Sequence, residues 1–266
     1  MKIAVLVKQV PDTTEMSVDK EKGTLNRQGV PTIINPDDLA GIETALRLKD
    51  TYGGEVHAIS MGPSQAKSMM EQLYSRGVDT CTLLTDKRFA GSDTWATSNI
   101  LAHALKKIPF DLIIAGRQAI DGDTAQVGPQ VAEFLDIPQA TYVEKVIKVE
   151  DGSVRIQRAF EDESLVQDVS LPCLITTMSE TIKPRYMNAY DIFTINERET
   201  HVLTYDDLDL EEGTTGLKGS PTKVKKTFVK TLTKDTRVIT PKSPEEAANT
   251  IIDMIAKNGG AIHGRQ

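Results

Sequence analysis

From residue 1 to about residue 138, short apolar runs alternate with stretches of helical period. The runs at 3–7, 56–61, 80–85 and 112–115 are β-rich and almost continuously hydrophobic, as expected for strands covered on both faces. Between them, apolar positions recur at three- and four-residue steps. The first helix is predicted to start at Asn35, as cap, and Pro36, with Asp37 and Asp38 at its positive end; it carries the stripe Leu39, Ile42, Leu46 and stops at Gly53-Gly54. A second opens at Pro63, buries Ala66, Met69, Met70 and Leu73, and closes at Gly77. A third follows Ser92-Asp93 and presents Ile100, Leu101, Ala104 and Leu105. This alternation predicts a Rossmann-like α/β fold, a parallel sheet with helices on both faces.

Beyond about residue 140 the runs 142–149, 154–160, 163–169 and 172–177 follow one another without helices, and Asp151-Gly152 is a hairpin signal. They predict a small antiparallel extension, about 140–180, whose last strand returns to the main sheet. After about residue 196 the chain turns acidic and then Gly/Ser/Lys-rich, with Gly213, Gly216, Gly219 and Ser220-Pro221 as breakers. A last helix, capped by Ser243 with Pro244 and Glu246 in its first turn, is expected to bury Ala248, Ile251, Ile252 and Ile255 before Gly259-Gly260. The division that follows is an α/β domain over 1–196 and a carboxyl-terminal arm over 197–266. An apolar stripe at the end of such an arm needs a surface to dock on, and a partner subunit is the natural one.

A formal charge of −7 argues against nucleic-acid binding, and the cluster of Lys223 to Lys226 with Lys230 reads as a solvated linker. Cys81 and Cys173 lie in apolar runs with no Cys-x-x-Cys partner, so they read as core residues rather than as a disulfide or a zinc site. His57, His103, His201 and His263 are scattered, and no nucleophile–base arrangement is evident. No apolar run is long enough for a signal peptide or a membrane span; the protein is expected to be cytoplasmic, with no membrane insertion.

The most informative segment is the run from Gly116 to Gly128, GRQAIDGDTAQVG, directly after the strand pattern 111–115. A loop at a strand's carboxyl end, rich in glycine and leading into a helix, lets backbone N–H groups approach a phosphate. Asp123 to Gln126 has the side chains of a capping box, although Pro129 makes the first helical residue uncertain. An acidic turn would look the same by spacing alone. The run is neither a Walker loop nor a Gly-x-Gly-x-x-Gly fingerprint.

Gly116 to Gly128 resembles the nucleotide signature of the electron-transfer flavoprotein β subunit, and residues 5–12 resemble that family's opening strand and loop. Asn35-Pro36, residues 60–63 and residues 183–186 fall in the family's order and spacing, so the likeness covers nearly the whole chain. It implies a fold of the adenine-nucleotide α-hydrolase type with a nucleotide in its crevice. Carried over by position, Leu6 and Lys8 end the first strand beside the adenine. Asn35, Pro36, Asp37 and Asp38 form the helix start next to it, and Met61 ends the second strand. The phosphate loop comprises Gly116, Arg117, Gln118, Asp121, Gly122, Asp123, Thr124, Ala125, Gln126 and Val127. Asn35 serves equally well as a plain cap, Met61 as packing, and Asp121 and Asp123 as acceptors that order the loop.

Two branches of the family differ in the nucleotide: AMP, a structural ligand, or a second FAD. Residues 89–97 resemble the Gly-x-Asp-x-x-Ala-Thr stretch of the electron-bifurcating branch. Ser92, Thr94 and Thr97 offer hydroxyls at a helix start suited to a polar ring edge, although a Ser/Asp cap explains the same residues. Trp95 fits either a core position or a ring stack. The branch resemblance implies FAD that accepts hydride from NADH, with electrons passing to ferredoxin and, through the FAD of the α subunit, to a flavoenzyme such as an acyl-CoA dehydrogenase. The segment of about 183–193, with Pro184, Arg185, Tyr186, Met187, Ala189, Tyr190 and Ile192, matches the family's partner-recognition loop. An AMP-holding β subunit of an ordinary electron carrier is the alternative; an adenine-nucleotide-binding sensor module is more remote, since its Gly-x-x-Gly followed by Gly-Ser is missing.

Overall fold

The computed structural model describes residues 1–12, 17–19, 24–26, 31–150, 152–224 and 238–257. In chain order the elements are β1 (Lys2–Leu6), β2 (Gln9–Pro11), β3 (Ser17–Asp19), β4 (Thr24–Asn26), β5 (Thr32–Ile34), α1 (Pro36–Tyr52), β6 (Glu55–Met61), α2 (Lys67–Tyr74), β7 (Thr80–Leu84), α3 (Thr94–Leu105), β8 (Leu112–Gly116) and α4 (Val127–Leu135). They continue with β9 (Gln139–Glu150), β10 (Ser153–Ala159), β11 (Ser164–Ser170), β12 (Cys173–Thr177), α5 (Ala189–Phe193), β13 (Thr200–Leu203), α6 (Gly216–Gly219) and α7 (Pro244–Lys257).

One sheet runs in the order β11-β10-β9-β12-β8-β1-β6-β7-β13. From β9 to β13 all neighbours are parallel, while β10 pairs antiparallel with both β9 and β11. The expected extension is present, and its last strand, β12, does return, inserting between β8 and β9. Two-residue alternation divides the core. Ile3, Val5, Leu112 and Ile114 pack with Ile42 and Leu46 of α1 and Met69 and Met70 of α2; Ala4, Leu6, Ile113 and Ala115 pack on the other face with Ile100 and Leu105 of α3 and Val131 of α4. Both faces are covered, which is why these strands read as continuous apolar runs. Cys81 and Cys173 are free and buried in this core, and burial pushes both thiols up to about 12.

Strand order reverses at β1: the chain moves outward through β6 and β7, then returns to place β8 on the other side of β1. The carboxyl ends of β1 and β8 therefore splay apart, and crevices of this kind are where open α/β sheets take ligands.

Three points bear on the sequence pattern. The first compact unit runs to Thr227, past the boundary drawn at residue 196, because β13 pairs with β7 at the sheet edge and residues 205–222 pack on the loop before α3. The capping box does not form: α4 starts at Val127 behind Gln126, which makes no side-chain cap bond, and Asp123 accepts instead from Gln118 Nε2 at 3.0 Å. In the second unit, α7 has its Ser243 cap, with the Glu246 N–H donating to Ser243 Oγ at 3.2 Å, and its apolar stripe, Ile251, Ile252 and Ile255, is exposed in this chain by itself. The residues Lys225, Lys226 and Lys230 of the basic cluster, Asp151, Gly259, Gly260 and His263 lie outside the described residues.

Candidate functional site

A cavity of about 340 Å³ opens at the reversal point. It is walled by the ends of β1, β6 and β8, the start of α3 and the loop between β8 and α4. Leu6, Lys8, Asp38, Met61, Ser92, Thr94, Thr97, Gly116, Arg117, Gln118, Gly122, Asp123, Thr124, Ala125, Gln126 and Val127 all line it. Segments more than a hundred residues apart thus converge on one site. Asn35, Pro36, Asp37 and Asp121 do not line it.

Asn35 has another job. Its backbone oxygen takes the first helical N–H, from Leu39, at 2.9 Å, yet its fully buried side chain caps nothing. The amide reaches across to the loop, donating to Gln118 O at 2.8 Å and accepting from Ile120 N at 3.1 Å. Such a two-pronged bond replaces a backbone partner and fixes the loop's register against α1. Asp121 is held from outside by Lys8, whose Nζ lies 2.7 and 2.8 Å from its two carboxylate oxygens. Neither Asp121 nor Asp123 takes the backbone-accepting role expected of it; their partners are side chains.

Pinned in this way, the loop adopts an unusual backbone. Asp123 has φ +50° and Ala125 φ +53°, values that L-residues visit at a cost of about 1–2 kcal/mol, and Gln126 returns to the right-handed region. A left-handed residue followed by a right-handed one turns successive N–H groups into one concavity that suits an anion. Among the described residues, the N–H groups of Thr124, Ala125, Gln126, Val127 and Gly128 find no acceptor. They include the orphan donors of the first turn of α4. Gly116 permits the close approach of α1 to this loop, since a Cβ there would collide with Asp38 Oδ1 and stand 2.9 Å from Asp37 Cβ. Gly122 is different: a Cβ there meets nothing within 4 Å.

Under the loop the wall is apolar, made by Leu6, Val7, Ile59, Met61, Leu101 and Ala115, with Asp38 set into it. Asp38 Oδ2 accepts the Lys8 N–H at 2.7 Å and Oδ1 the Gly116 N–H at 3.1 Å. Burial raises this carboxyl to about 7, against the pull of the Lys8 N–H, the Asn35 amide and the Gly116 N–H, and with a further push from the charge of Asp37. Asp37 faces away from the cavity. Its Oδ1 accepts from Ser179 N at 2.9 Å, and its Oδ2 lies 3.3 Å from Arg117 Nε as an ion pair without hydrogen-bond geometry.

The opposite wall is the start of α3. Ser92 lines the cavity, but its hydroxyl is taken, donating to Phe89 O at 2.8 Å and accepting from Gly216 N at 3.0 Å. Thr94 Oγ1 donates to Gln126 Oε1 at 3.0 Å and so joins the helix start to the phosphate-loop candidate. Asp93, at the predicted Ser/Asp helix start, is the cap, accepting from Ala96 N at 3.1 Å and from Thr222 N and Oγ1, both at 2.8 Å, while its own N–H donates to Ser220 Oγ at 2.8 Å. Burial opposes its charge, but these donors hold its carboxyl below the usual range. The segment 216–222 therefore braces the wall. The sequence marked it only by the breakers Gly216, Gly219 and Ser220-Pro221; Gly216 sits at φ +63°, where a Cβ would strike Arg88 O. Trp95 packs edge-on against Phe134 at 5.5 Å, joining α3 to α4, and does not line the cavity.

The segment expected to meet a partner lies apart. Arg185 is anchored to the protein itself, through Glu43 at 2.9 Å and Asp50 at 2.7 Å, and Pro184 is half-buried behind it. Asn188 N donates to Ser75 O at 2.7 Å. On this base Tyr186, Met187, Ala189, Tyr190 and Ile192 are exposed, as is Phe193, and the two outermost rings, Tyr186 and Phe193, are each 85% exposed.

His57 sits in the sheet with one ring nitrogen 2.7 Å from Thr82 Oγ1, and burial followed by the nearby His201 lowers it to about 4. Among the described residues no group of acidic, His or Cys side chains has the arrangement of a metal site, and no helix is long and apolar enough to cross a membrane.

Residues 22–201 match the family described as electron transfer flavoprotein domain. The chain is 50% identical over 255 residues to an electron transfer flavoprotein subunit beta of Clostridium acetobutylicum, covering 96% of this chain and 98% of the relative. It is 43% identical to the caffeyl-CoA reductase-Etf complex subunit CarD of Acetobacterium woodii, over 96% and 98% of the two chains. It is also 46% identical to the acryloyl-CoA reductase electron transfer subunit gamma of Anaerotignum propionicum, over 86% of this chain and 88% of the relative.

Proposed function

Because the chain belongs to the electron transfer flavoprotein family, we propose that it is the β subunit of a heterodimeric electron-transfer flavoprotein and that its cavity holds FAD. The observation that carries the nucleotide is the row of free N–H groups from Thr124 to Gly128, curved by the left-handed φ of Ala125 and placed at a helix start. These donors suit a pyrophosphate, since they offer positive potential without a side chain that must be desolvated. Leu6, Met61 and Leu101 suit a planar ring beneath it, and Asp38 supplies a polar contact in an otherwise apolar wall.

The choice of FAD rests on the wall of α3. Thr94 is bonded to Gln126 of the phosphate loop and Thr97 follows on the same side, so a ligand held by the loop has hydroxyls beside it. FAD, when bound, supplies the redox chemistry: acceptance of a hydride from NADH, with electrons divided between ferredoxin and, through the α-subunit FAD, a partner flavoenzyme dehydrogenase. This chain's residues bind and orient: the 124–128 amides hold the phosphates, Asn35 fixes their loop, and the apolar wall keeps water from the ring. That two similar proteins are subunits named for CoA-ester reductases supports a partner of the acyl-CoA dehydrogenase class.

One observation favours a second reading, AMP as a structural ligand. At about 340 Å³ the cavity is near the small end for ligand sites and suits a mononucleotide. Nucleotide released from the purified complex of this chain with its α subunit separates the two. Two FAD per heterodimer is expected; one FAD and one AMP would move the assignment to the ordinary electron carrier.

A further inference from the structure

Three carboxylates line the cavity, Asp38, Asp93 and Asp123, and of these Asp38 alone is buried. Among the described residues its surroundings hold no spare cation. On its own helix stand Asp37, whose charge opposes that of Asp38, and Glu43, which is taken by Arg47 and Arg185. From the segment after β1 comes Lys8, whose ammonium is bound to Asp121; from the loop after β8 comes Arg117, which faces Asp37 and Glu180. Each oxygen of Asp38 already accepts one backbone N–H, from Lys8 and Gly116.

We propose that Asp38 meets the ring of the bound nucleotide as a neutral carboxylic acid, so that filling the cavity takes up one proton from solvent. A ring that enters the apolar pocket removes the remaining water, and a carboxylate left there with uncharged N–H donors and no counter-ion among the described residues is disfavoured. The neutral acid keeps both N–H bonds, because its carbonyl and hydroxyl oxygens each still accept, and adds an O–H donor. A ring edge that sets an acceptor nitrogen beside an N–H donor, as adenine does, matches that pair and repels a carboxylate at the ring nitrogen. The burial that already holds Asp38 near neutrality works in the same direction. The proposal rests on the nucleotide reading of the cavity.

Calorimetric titration of FAD, and separately of ADP-ribose, into the full-length chain in complex with its α subunit, freed of the nucleotide in this cavity, tests it. Both probes keep their protonation between about pH 6 and about pH 9, and repeating the titration in buffers of different ionisation heat counts protons. Uptake approaching one proton per ligand is expected above neutrality, with affinity falling about tenfold per pH unit there and levelling below about pH 7. Asp38→Asn removes the titrating group; its pH profile becomes flat, even if overall affinity drops because the amide NH₂ cannot accept one of the two N–H bonds. A flat wild-type profile, proton release on binding, or an unchanged slope in Asp38→Asn would overturn the proposal. Failure of both probes to bind at any pH overturns the nucleotide reading and this proposal together, whereas tight binding without pH dependence overturns this one alone.

Discussion

At the scale of single residues, two glycines of one loop make opposite predictions. Gly116 carries its N–H to Asp38 and lies against the first turn of α1, so a methyl group there must displace the Asp38 carboxylate or the Asp37–Asp38 backbone. Neither can yield cheaply in a packed interior. Gly122 borders open space and needs no positive φ. Gly116→Ala should therefore lower the nucleotide content of the purified complex at least tenfold, while Gly122→Ala retains it within a few-fold. Nucleotide released per heterodimer, read beside the thermal midpoint of each variant, checks the pair. Equal retention in both would show that the close approach at Gly116 does not shape the site.

At the scale of elements, the segment from Arg185 to Phe193 is a rigid base with an exposed apolar tip. Arg185 is fixed to Glu43 and Asp50, Asn188 joins the end of α2 and also caps α5 by accepting from Tyr190 N at 2.9 Å, so Tyr186, Met187, Tyr190, Ile192 and Phe193 are presented rather than mobile by default. A patch of aromatic and aliphatic side chains held ready on a fixed base suits docking, because little ordering is left to be done at contact. Changing Met187, Tyr190 and Ile192 together to Ser removes the tip and touches nothing that lines the cavity. Reduction by NADH should stay near the wild-type rate, whereas turnover with the partner dehydrogenase should fall by an order of magnitude or more, as for a lost hot spot of about 2 kcal/mol. A parallel fall in both rates would place this segment in the nucleotide site instead.

At the scale of the whole molecule, the chain divides after the brace. Residues up to Thr227 form one compact unit, and the second contains α7, with Ile251, Ile252, Met254 and Ile255 all more than 40% exposed. Removing residues 240–266 should leave the α/β unit folded and weaken association with the α subunit, since an apolar helix face is worth several kcal/mol at roughly 25 cal/mol per Å² buried. Co-purification and a dissociation constant for the truncated chain measure this. Undiminished affinity would mean that the helix serves some other surface.

What the sequence alone determined was whatever depends on local periodicity and on short contiguous motifs. The parallel strands showed because burial on both faces makes a strand apolar throughout, the helices because one face meets the sheet, and the loop after β8 because its glycines and its strand–loop–helix setting are adjacent in the chain. The exposed tip at Met187, Tyr190 and Ile192 was marked only by its resemblance to the family's partner-recognition loop. Other roles became visible only when distant segments met. Asn35 has the composition of a cap, yet its amide reaches residues 118 and 120. Ser92 looks like a ligand hydroxyl until Gly216 N occupies it, and Asp38 looks like a dipole-matching helix acid until the end of β1 and Gly116 enclose it. Residues 216–222 read as breakers in the arm because their hydrogen-bond partners, Ala90, Gly91, Ser92 and Asp93, lie more than a hundred residues earlier. A hydrogen bond between distant segments leaves no periodic trace in either one, so tertiary structure alone could reveal which polar side chains face the cavity and which hold it open.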